Sequence, residues 1–419
     1  MSENSVSVWE SVRRAVRRGA ARTTELLSCG ASRAADRDLS AQGAARRAWL
    51  GNLSVLPALA ILTSGSAGAQ TRKPLPRRAQ PGVEERPVVA TATPGAGLVD
   101  PSKRPFGVDV WNFNRLKAVK LDDPRSQARQ KRMPVGKIGG VDMGRLICGS
   151  NLIGMNMHAR DLPYVQDLAV HYGSIERIWM TMKMLEERGV NTFNLKANNF
   201  SRFQLQKYKS EYGGKFQWIA DVIAGTDLDR FEPVLIEHLQ LEPAAVYLWG
   251  GSSDQWYFRK QAGNIVKAYE TMRKYGLPVG IGAHRLEPVM FCEKEGLQPD
   301  FYFLTFHHDH YWSAHPKENR RPLEMYEPNS PDRMYYHDNL FCADHEQTRD
   351  FMQDVKAPWI AFKVMAAGAI PPEDGFRFAL QGGADFICAG MFDWQVDKDV
   401  RIAIQSVEEA QQRKRPWRA

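Results

Sequence analysis

The densest group of side chains able to do chemistry lies in one run of the C-terminal half. The run holds three imidazoles and a carboxylate followed by two aromatic residues: His307, His308, Asp309, His310, Tyr311 and Trp312. Imidazole nitrogens and carboxylate oxygens are ligands that Zn²⁺ and similar divalent cations accept. The run therefore predicts a site for Zn²⁺, Mn²⁺ or a similar ion, with His158 as a further ligand. The alternative is a hydrogen-bonded group that binds a polyol or an acidic substrate without metal.

Lys363 is the second candidate for chemistry, because it stands inside the apolar segment 359–365. An unpaired ammonium is costly to bury, so this lysine must be paired, deprotonated or functional. A desolvated lysine can act as a base or as a Schiff-base nucleophile. The alternative is an internal ion pair with Asp393 or Asp221. The sequence predicts four catalytic residues, which are Lys363, His307, His284 and Asp393.

Other polar and aromatic side chains follow the predicted strands and are expected to bind substrate. They are Asn151, Lys196, Asn198, Trp249, Arg285, Tyr311 and Trp312. The long insertion 308–344 adds further aromatic residues, and a loop of that length is expected to be a lid or a binding element. Aromatic faces beside polar groups suit sugar rings.

Eight short apolar strands alternate with amphipathic helices in the part of the chain that carries these residues. The predicted strands are 145–149, 191–196, 216–221, 244–249, 279–283, 301–307, 359–365 and 386–390. The predicted helices are 174–188, 201–212, 230–241, 259–275, 286–295, 345–355, 371–381 and 399–413. This alternation predicts a closed (β/α)8 barrel, in which the polar strand ends meet at one mouth. An open doubly wound sheet is disfavoured, because 149–154 lacks a GxGxxG fingerprint.

Four short segments resemble aldo/keto reductases. They are 133–149, 189–193, 246–248 and 280–284, and the likeness extends over most of 133–419. The resemblance implies a barrel whose bottom is closed by a short β-hairpin, and a nicotinamide cofactor, NAD(P).

The catalytic residues of that family are not retained in this sequence. The family's aspartate would fall at Asn194, and its histidine is replaced by Gly250 or Gly251. Its tyrosine has no counterpart at 198–200, and its lysine is absent from 216–221. The resemblance thus implies the fold with a changed reaction.

The first 69 residues predict an export signal. Arg46-Arg47 precedes the apolar run 49–62, which ends near the small-residue site Ala67-Gly68-Ala69. This pattern is typical of a twin-arginine leader, so we expect the export machinery of that route as a partner and a periplasmic or secreted location. The run is too short and too polar for a stable membrane span. Residues 70–132 form a Pro- and Arg-rich linker before the barrel at 133–419.

Charge and cysteine content exclude some classes of protein. The net charge is +8, but residues 141–419 carry 32 basic and 37 acidic side chains, so the positive excess lies in the leader and linker. We therefore expect no nucleic-acid groove. The five cysteines show no CxxC spacing, which predicts small buried side chains rather than a zinc ribbon or a disulfide framework.

These patterns together predict an exported barrel enzyme for a small polar, carbohydrate-related substrate. Its acid–base chemistry would be that of a hydrolase, lyase or isomerase, with or without a metal. Two alternatives stay open, an NAD(P)-dependent oxidoreductase of the aldo/keto reductase type and a non-catalytic sugar-binding barrel. The oligomeric state is left open.

Overall fold

The computed structural model of the chain describes residues 132–419 apart from 155–156, 160–161, 163, 197–198 and 323–339. The predicted leader and the linker up to residue 131 therefore lie outside the described residues, as does Asn198. Within the described ranges, no helix is both long enough and apolar enough to cross a membrane.

A two-stranded antiparallel hairpin opens the described chain. Strand β1, Val135–Ile138, pairs with β2, Val141–Gly144. The two turn residues, Gly139 and Gly140, have φ of 53° and 83°, the backbone that a tight two-residue hairpin requires. The apolar side of the hairpin is buried in one cluster with residues of the barrel interior, such as Ile147 and Phe386. The hairpin thus closes the amino-terminal end of the barrel, as the resemblance implied.

Eight parallel strands form a closed barrel in chain order. They are β3 (Leu146–Gly149), β4 (Thr192–Lys196), β5 (Gln217–Val222), β6 (Ala245–Leu248), β7 (Val279–Ala283), β8 (Phe301–Thr305), β9 (Trp359–Phe362) and β10 (Phe386–Ala389). The barrel is closed where β10 pairs with β3, with Ile387 opposite Leu146. The predicted (β/α)8 fold and all eight predicted strands are confirmed.

Helices follow the strands and cover the outside of the barrel. They are α1 (Ser150–Ile153), α2 (Tyr164–Tyr172), α3 (Ile175–Glu187), α4 (Asn199–Tyr212), α5 (Phe231–Leu239), α6 (Gly250–Phe258), α7 (Gly263–Arg273), α8 (Glu287–Lys294), α9 (His345–Met352), α10 (Pro372–Gln381) and α11 (Asp393–Glu409).

Two predicted helices begin at other residues than expected. The predicted helix 259–275 is α7, and it is preceded by the unpredicted α6. Most residues of α6 are buried, polar ones included, so this helix shows no amphipathic repeat in the sequence. The last helix begins at Asp393 rather than at 399, because its first turn follows β10 almost directly.

A buried ion cluster holds the C-terminal segment to the amino-terminal end of β9 and β10. The carboxylate of Asp385 lies 2.9 Å from the guanidinium of Arg413 and 2.6 Å from that of Arg415. Arg415 is fully buried and also donates to four backbone carbonyls, those of Met352, Val355, Ala357 and Gly383. Its charge is therefore compensated and its donors are satisfied, which a buried guanidinium requires.

Candidate active site

Asp254 and His284 form a buried pair at the carboxyl end of the barrel. Asp254 lies on α6, which follows β6, and His284 follows β7 directly. The Asp254 carboxylate accepts hydrogen bonds from the ring Nδ1–H of His284 at 2.9 Å and from the backbone N–H groups of His284 and Arg285 at 3.1 Å. These bonds fix the ring as the Nδ1–H tautomer, which makes Nε2 the basic nitrogen of the neutral imidazole.

Two glycines allow the close approach of α6 to β7 that this pair requires. A Cβ at Gly282 would lie 2.7 Å from the carbonyl oxygen of Leu248 and 2.9 Å from the nitrogen of Gly250. A Cβ at Gly250 would lie 3.1 Å from Nδ1 of His284. The glycines therefore set the distance over which Asp254 reaches His284.

Lys363 lies at the same end of the barrel, after β9. Strand β9 ends at Phe362, because Lys363 has φ of 58°, a left-handed conformation that a lysine rarely adopts. The prediction that Lys363 lies within the strand is therefore wrong by one residue. Its Nζ contacts Nε2 of His158 and lies 4.1 Å from the centroid of the Phe341 ring. Unusual backbone conformations of this kind are concentrated at functional sites.

Phe341 lies near three of the four predicted catalytic residues. This side chain belongs to the predicted insertion and is buried. Its ring centroid lies 5.0 Å from that of His158, 6.4 Å from that of His284 and 6.3 Å from that of His307. With the Lys363 contact, groups from β7, β8 and β9 thus converge on a single aromatic ring.

His307 differs from its neighbours because both of its ring nitrogens bond to the backbone. Nδ1 donates to the carbonyl of His308 at 2.8 Å, and Nε2 accepts from the N–H groups of Phe341 and Cys342 at 3.2 and 3.1 Å. Burial lowers the pKa of His307 to about 4, so the ring is neutral. These bonds fix the end of the insertion, and they argue against the predicted catalytic and metal-binding roles of His307.

A possible metal-binding triad consists of Asp309, His310 and His345. One ligand atom from each of the three lies within 4.8 Å of the others. Burial alone would raise the pKa of Asp309. The hydrogen bond and charge of Arg320, with a smaller contribution from His345, instead lower this pKa to about 2. His345 was predicted only as the start of a helix and not as a ligand.

Two further predicted metal ligands are engaged elsewhere. Nε2 of His308 donates to Asp374 at 3.0 Å, and its Nδ1 accepts from the backbone of His310. His158 contacts Lys363. The prediction placed the metal among residues 307–310 with His158 as a further ligand, whereas the possible triad includes His345 of α9.

Asp393 contacts Tyr172 rather than Lys363. The carboxylate accepts a hydrogen bond from the Tyr172 hydroxyl of α2. Tyr172 packs on the rings of Phe392 and Trp394, with centroids 5.2 and 4.9 Å away. The predicted alternative of a Lys363–Asp393 ion pair is therefore wrong, and Asp393 anchors the start of α11 to α2.

The barrel interior below the mouth carries a short polar layer. The side-chain amide of Asn194 donates to the hydroxyl of Tyr247 at 3.1 Å. Burial raises the pKa of the Tyr247 hydroxyl, and the charge of Asp221 raises it further. Burial also raises the pKa of Cys388, with opposing smaller effects from Lys363 and Asp221, so these two charges act on the same thiol.

The predicted substrate-binding residues lie in different elements and differ in exposure and contacts. Arg285 forms an ion pair with Glu287 at 3.2 Å, and Trp249 is the residue that precedes α6. Trp312 is 89% exposed. The remaining ones are Asn151 in α1, Tyr311 beside His307, and Lys196, whose backbone pairs with Asp221 and whose side chain is not described.

Asp254, like His345, is a functional candidate that the sequence patterns did not reveal. It follows the segment Gly250-Gly251-Ser252-Ser253, which reads as a loop before the next helix. The available signal was the pair of glycines directly after a strand, because glycines at such places mark close backbone approach.

No protein-family model matches the sequence, and neither does any curated protein. Among solved structures, the chain is similar to a protein from Pseudomonas aeruginosa provisionally assigned as an aldo-keto reductase, with 12% identity, a TM-score of 0.43, and coverage of 67% of this chain and 98% of that one. It is also similar to Gox0644 in a complex with NADPH, with 10% identity, a TM-score of 0.40, and coverage of 67% and 94%.

A third similar structure is a truncated 3-deoxy-D-arabino-heptulosonate 7-phosphate synthase from Thermotoga maritima, with 12% identity, a TM-score of 0.35, and coverage of 66% and 90%. The assignment of the fold rests on the strand order given above. Identities and scores this low do not extend to an activity.

Proposed function

We propose that this protein is an isomerase or lyase that moves protons on a small hydroxylated carbonyl compound, such as a sugar or a sugar acid. The observation that carries the proposal is the buried Asp254–His284 pair. The imidazole of His284 and the ammonium of Lys363 both lie near the ring of Phe341. Catalytic groups of (β/α)8 enzymes stand at the carboxyl ends of the strands, which is where these residues lie.

His284 would act as the general base. A base needs a fixed tautomer and a partner that stabilises its protonated form, and Asp254 supplies both through the bond to Nδ1. Nε2 would then take a proton from the carbon next to the substrate carbonyl. The positive charge that forms on the ring would be compensated by the buried carboxylate.

Lys363 would act on the carbonyl oxygen. The face of the Phe341 ring favours the charged ammonium, which can donate a hydrogen bond to Nε2 of His158. An ammonium beside the carbonyl stabilises the negative charge that develops on oxygen when the carbon loses its proton. We therefore favour a charged, hydrogen-bond-donating Lys363 over a Schiff-base nucleophile.

The proton balance of the reaction is complete with these two groups. In an isomerisation, Lys363 gives a proton to the carbonyl oxygen and recovers one from the neighbouring hydroxyl, while His284 returns the carbon-bound proton to the former carbonyl carbon, so that the carbonyl shifts by one position. In an elimination, the electron pair of the broken C–H bond expels a hydroxyl from the next carbon, and the proton on His284 leaves with it as water. Phe341 and Phe362 lie against His284 and limit access of bulk water.

Proton NMR in D2O tests the proposal whichever product the reaction forms. A panel of aldoses, ketoses and sugar acids is incubated with the protein, and loss of the C–H signal next to the carbonyl reports proton abstraction. We expect exchange or turnover of at least one compound, abolished in His284→Gln and in Lys363→Met. His171→Gln is the control, because His171 is exposed on α2.

Two outcomes of this panel would contradict the proposal. Exchange that continues at the same rate in both variants would remove the assigned groups. Binding of a sugar without exchange or turnover would favour the non-catalytic sugar-binding barrel. Saturable quenching by NADPH in a parallel fluorescence titration would instead favour the nicotinamide-dependent reductase.

We also propose export by the twin-arginine route, on the strength of Arg46-Arg47 and the apolar run that follows. The test is fractionation of a bacterial host that has the twin-arginine translocase. The full chain should leave the cytoplasm, and the Arg46→Lys, Arg47→Lys double variant should be retained. Equal distributions of the two proteins would contradict the route.

A further inference from the structure

Three potential ligand atoms at the base of the insertion lie close to the spacing that a metal site requires. Oδ1 of Asp309 lies 3.2 Å from Nε2 of His345 and 3.7 Å from Nε2 of His310. Two ligand atoms bound to Zn²⁺ at about 2.0–2.1 Å with a tetrahedral angle are about 3.3 Å apart. Of the three residues, the one that must move most is His310, which is 79% exposed and so the easiest to shift.

We propose that Asp309, His310 and His345 bind one Zn²⁺ or a similar transition-metal ion at this position. Two imidazoles and one carboxylate form a donor set typical of Zn²⁺, and water would complete the tetrahedron. The ion would replace the hydrogen bond between Asp309 and His345. This proposal does not depend on the reaction proposed above, because none of its ligands belongs to the group around Lys363 and His284.

The surroundings of the triad hold its ligands in place. Arg320 donates to Oδ2 of Asp309 at 2.8 Å, which directs Oδ1 toward the two imidazoles. The His310 ring stacks on His308, whose own position is fixed by Asp374. Partners of this kind that orient ligand side chains are part of most protein metal sites.

The side chain of His345 is buried, and its Nε2 faces Oδ1 of Asp309. The rest of the ring packs against His310 and Phe378, so the imidazole is held at the triad.

The ion would join the two ends of the insertion. Asp309 and His310 stand at its beginning, and His345 is the first residue of α9 directly after it. Phe341, which contacts Lys363, comes four residues before His345. Binding would therefore hold the described ends of the insertion together, with Phe341 on the second of them.

Isothermal titration calorimetry with ZnCl2 on the EDTA-treated full chain, purified without a metal-affinity step, tests the site. The exposed ligand gives the safest variant, His310→Ala, and the exposed His171→Ala on α2 is the matched control. MgCl2 is the second control, because Mg²⁺ prefers oxygen ligands.

We expect one Zn²⁺ per chain in the wild type and in His171→Ala, with affinity lowered about 10- to 100-fold or more in His310→Ala. ZnCl2 should raise Tm in the first two proteins only. No binding at micromolar Zn²⁺, or equal affinity in His310→Ala, would overturn the proposal. Thermal unfolding without metal confirms that each variant folds.

Discussion

The carboxylate of Asp254 bonds to His284 twice, once through the ring Nδ1–H at 2.9 Å and once through the backbone N–H at 3.1 Å. The two residues come from consecutive strand–helix units, so the fold itself brings them together. A single carboxylate thus fixes the position, the tautomer and the charge compensation of the imidazole. This relationship underlies the proposed general base.

Asp254→Asn should lower turnover about 10²- to 10⁴-fold while the fold is kept. The amide can present its NH2 group to Nδ1 and favour the Nε2–H tautomer, which cannot accept a proton at Nε2. The rates of deuterium incorporation of wild type and variant are compared with that of Asp229→Asn, an exposed aspartate after β5. Equal rates in all three proteins would refute the role of Asp254.

Gly282→Ala should destabilise the protein by about 1–3 kcal/mol, because its Cβ would meet backbone atoms of Leu248 and Gly250. The same change should impair catalysis, since α6 must move away from β7. Gly263→Ala, at the start of α7, is the control, because its Cβ would meet no described atom within 4 Å beyond its chain neighbours and its own helix. Urea unfolding measures the difference, and equal effects of the two substitutions would disprove the close-approach explanation.

Ionisation of Asp399 is expected to lower the free energy of unfolding as the pH rises. This carboxyl lies buried on α11, and within the described ranges its Oδ2 has no hydrogen-bond partner. Burial raises the pKa of Asp399 from 3.8 to about 6, against a smaller lowering by Lys398 and with a small increase from Glu373. Because the folded state holds this proton more tightly than the unfolded state, the contribution of Asp399 to the free energy of unfolding falls between about pH 4 and pH 6.

Asp399→Asn should therefore leave stability near pH 4 almost unchanged and raise it at pH 7.5 by on the order of 1 kcal/mol. The amide has the shape of the protonated carboxyl and stays neutral. Urea unfolding of both proteins at the two pH values gives the comparison. A variant less stable than wild type at pH 7.5 would show that the ionised carboxylate is stabilising after all.

Asp385→Asn should destabilise the barrel by about 3–5 kcal/mol, because Arg413 and Arg415 would lose the counter-ion of a buried cluster. The matched control is Asp142→Asn, which breaks the exposed Lys137–Asp142 pair and should cost under about 1 kcal/mol. Chemical unfolding measures both. Similar losses in the two variants would mean that burial does not determine the strength of these pairs.

The fold could be predicted from the sequence because each strand is short, apolar and followed by a helix with its own period. The interval from Gly250 to Phe258 could not, since a buried polar helix has neither an apolar stripe nor alternation. Asp254 was missed for the same reason. Asp254 acquires its partner through the packing of a helix against the next strand, and that packing is not visible in a one-dimensional pattern.

The candidate site was predicted in part. His284 was found because a polar residue after an apolar strand must lie at the barrel mouth, and Lys363 because an ammonium inside an apolar segment needs a partner or a function. The run from His307 to His310 has the right residue types for a metal, but the direction of each side chain depends on the turn after β8. There His307 bonds to the backbone of Phe341, whereas Asp309 points toward His345, which is distant in sequence.

Nitrogen NMR of selectively ¹⁵N-histidine-labelled protein tests the orientation of His284 most directly, with its signal assigned by its loss in His284→Gln. At a pH where the ring is neutral, the protein should show a protonated Nδ1 and an unprotonated Nε2, and Asp254→Asn should abolish this pattern. A protonated Nε2 in the wild type would contradict the assignment of His284 as the base.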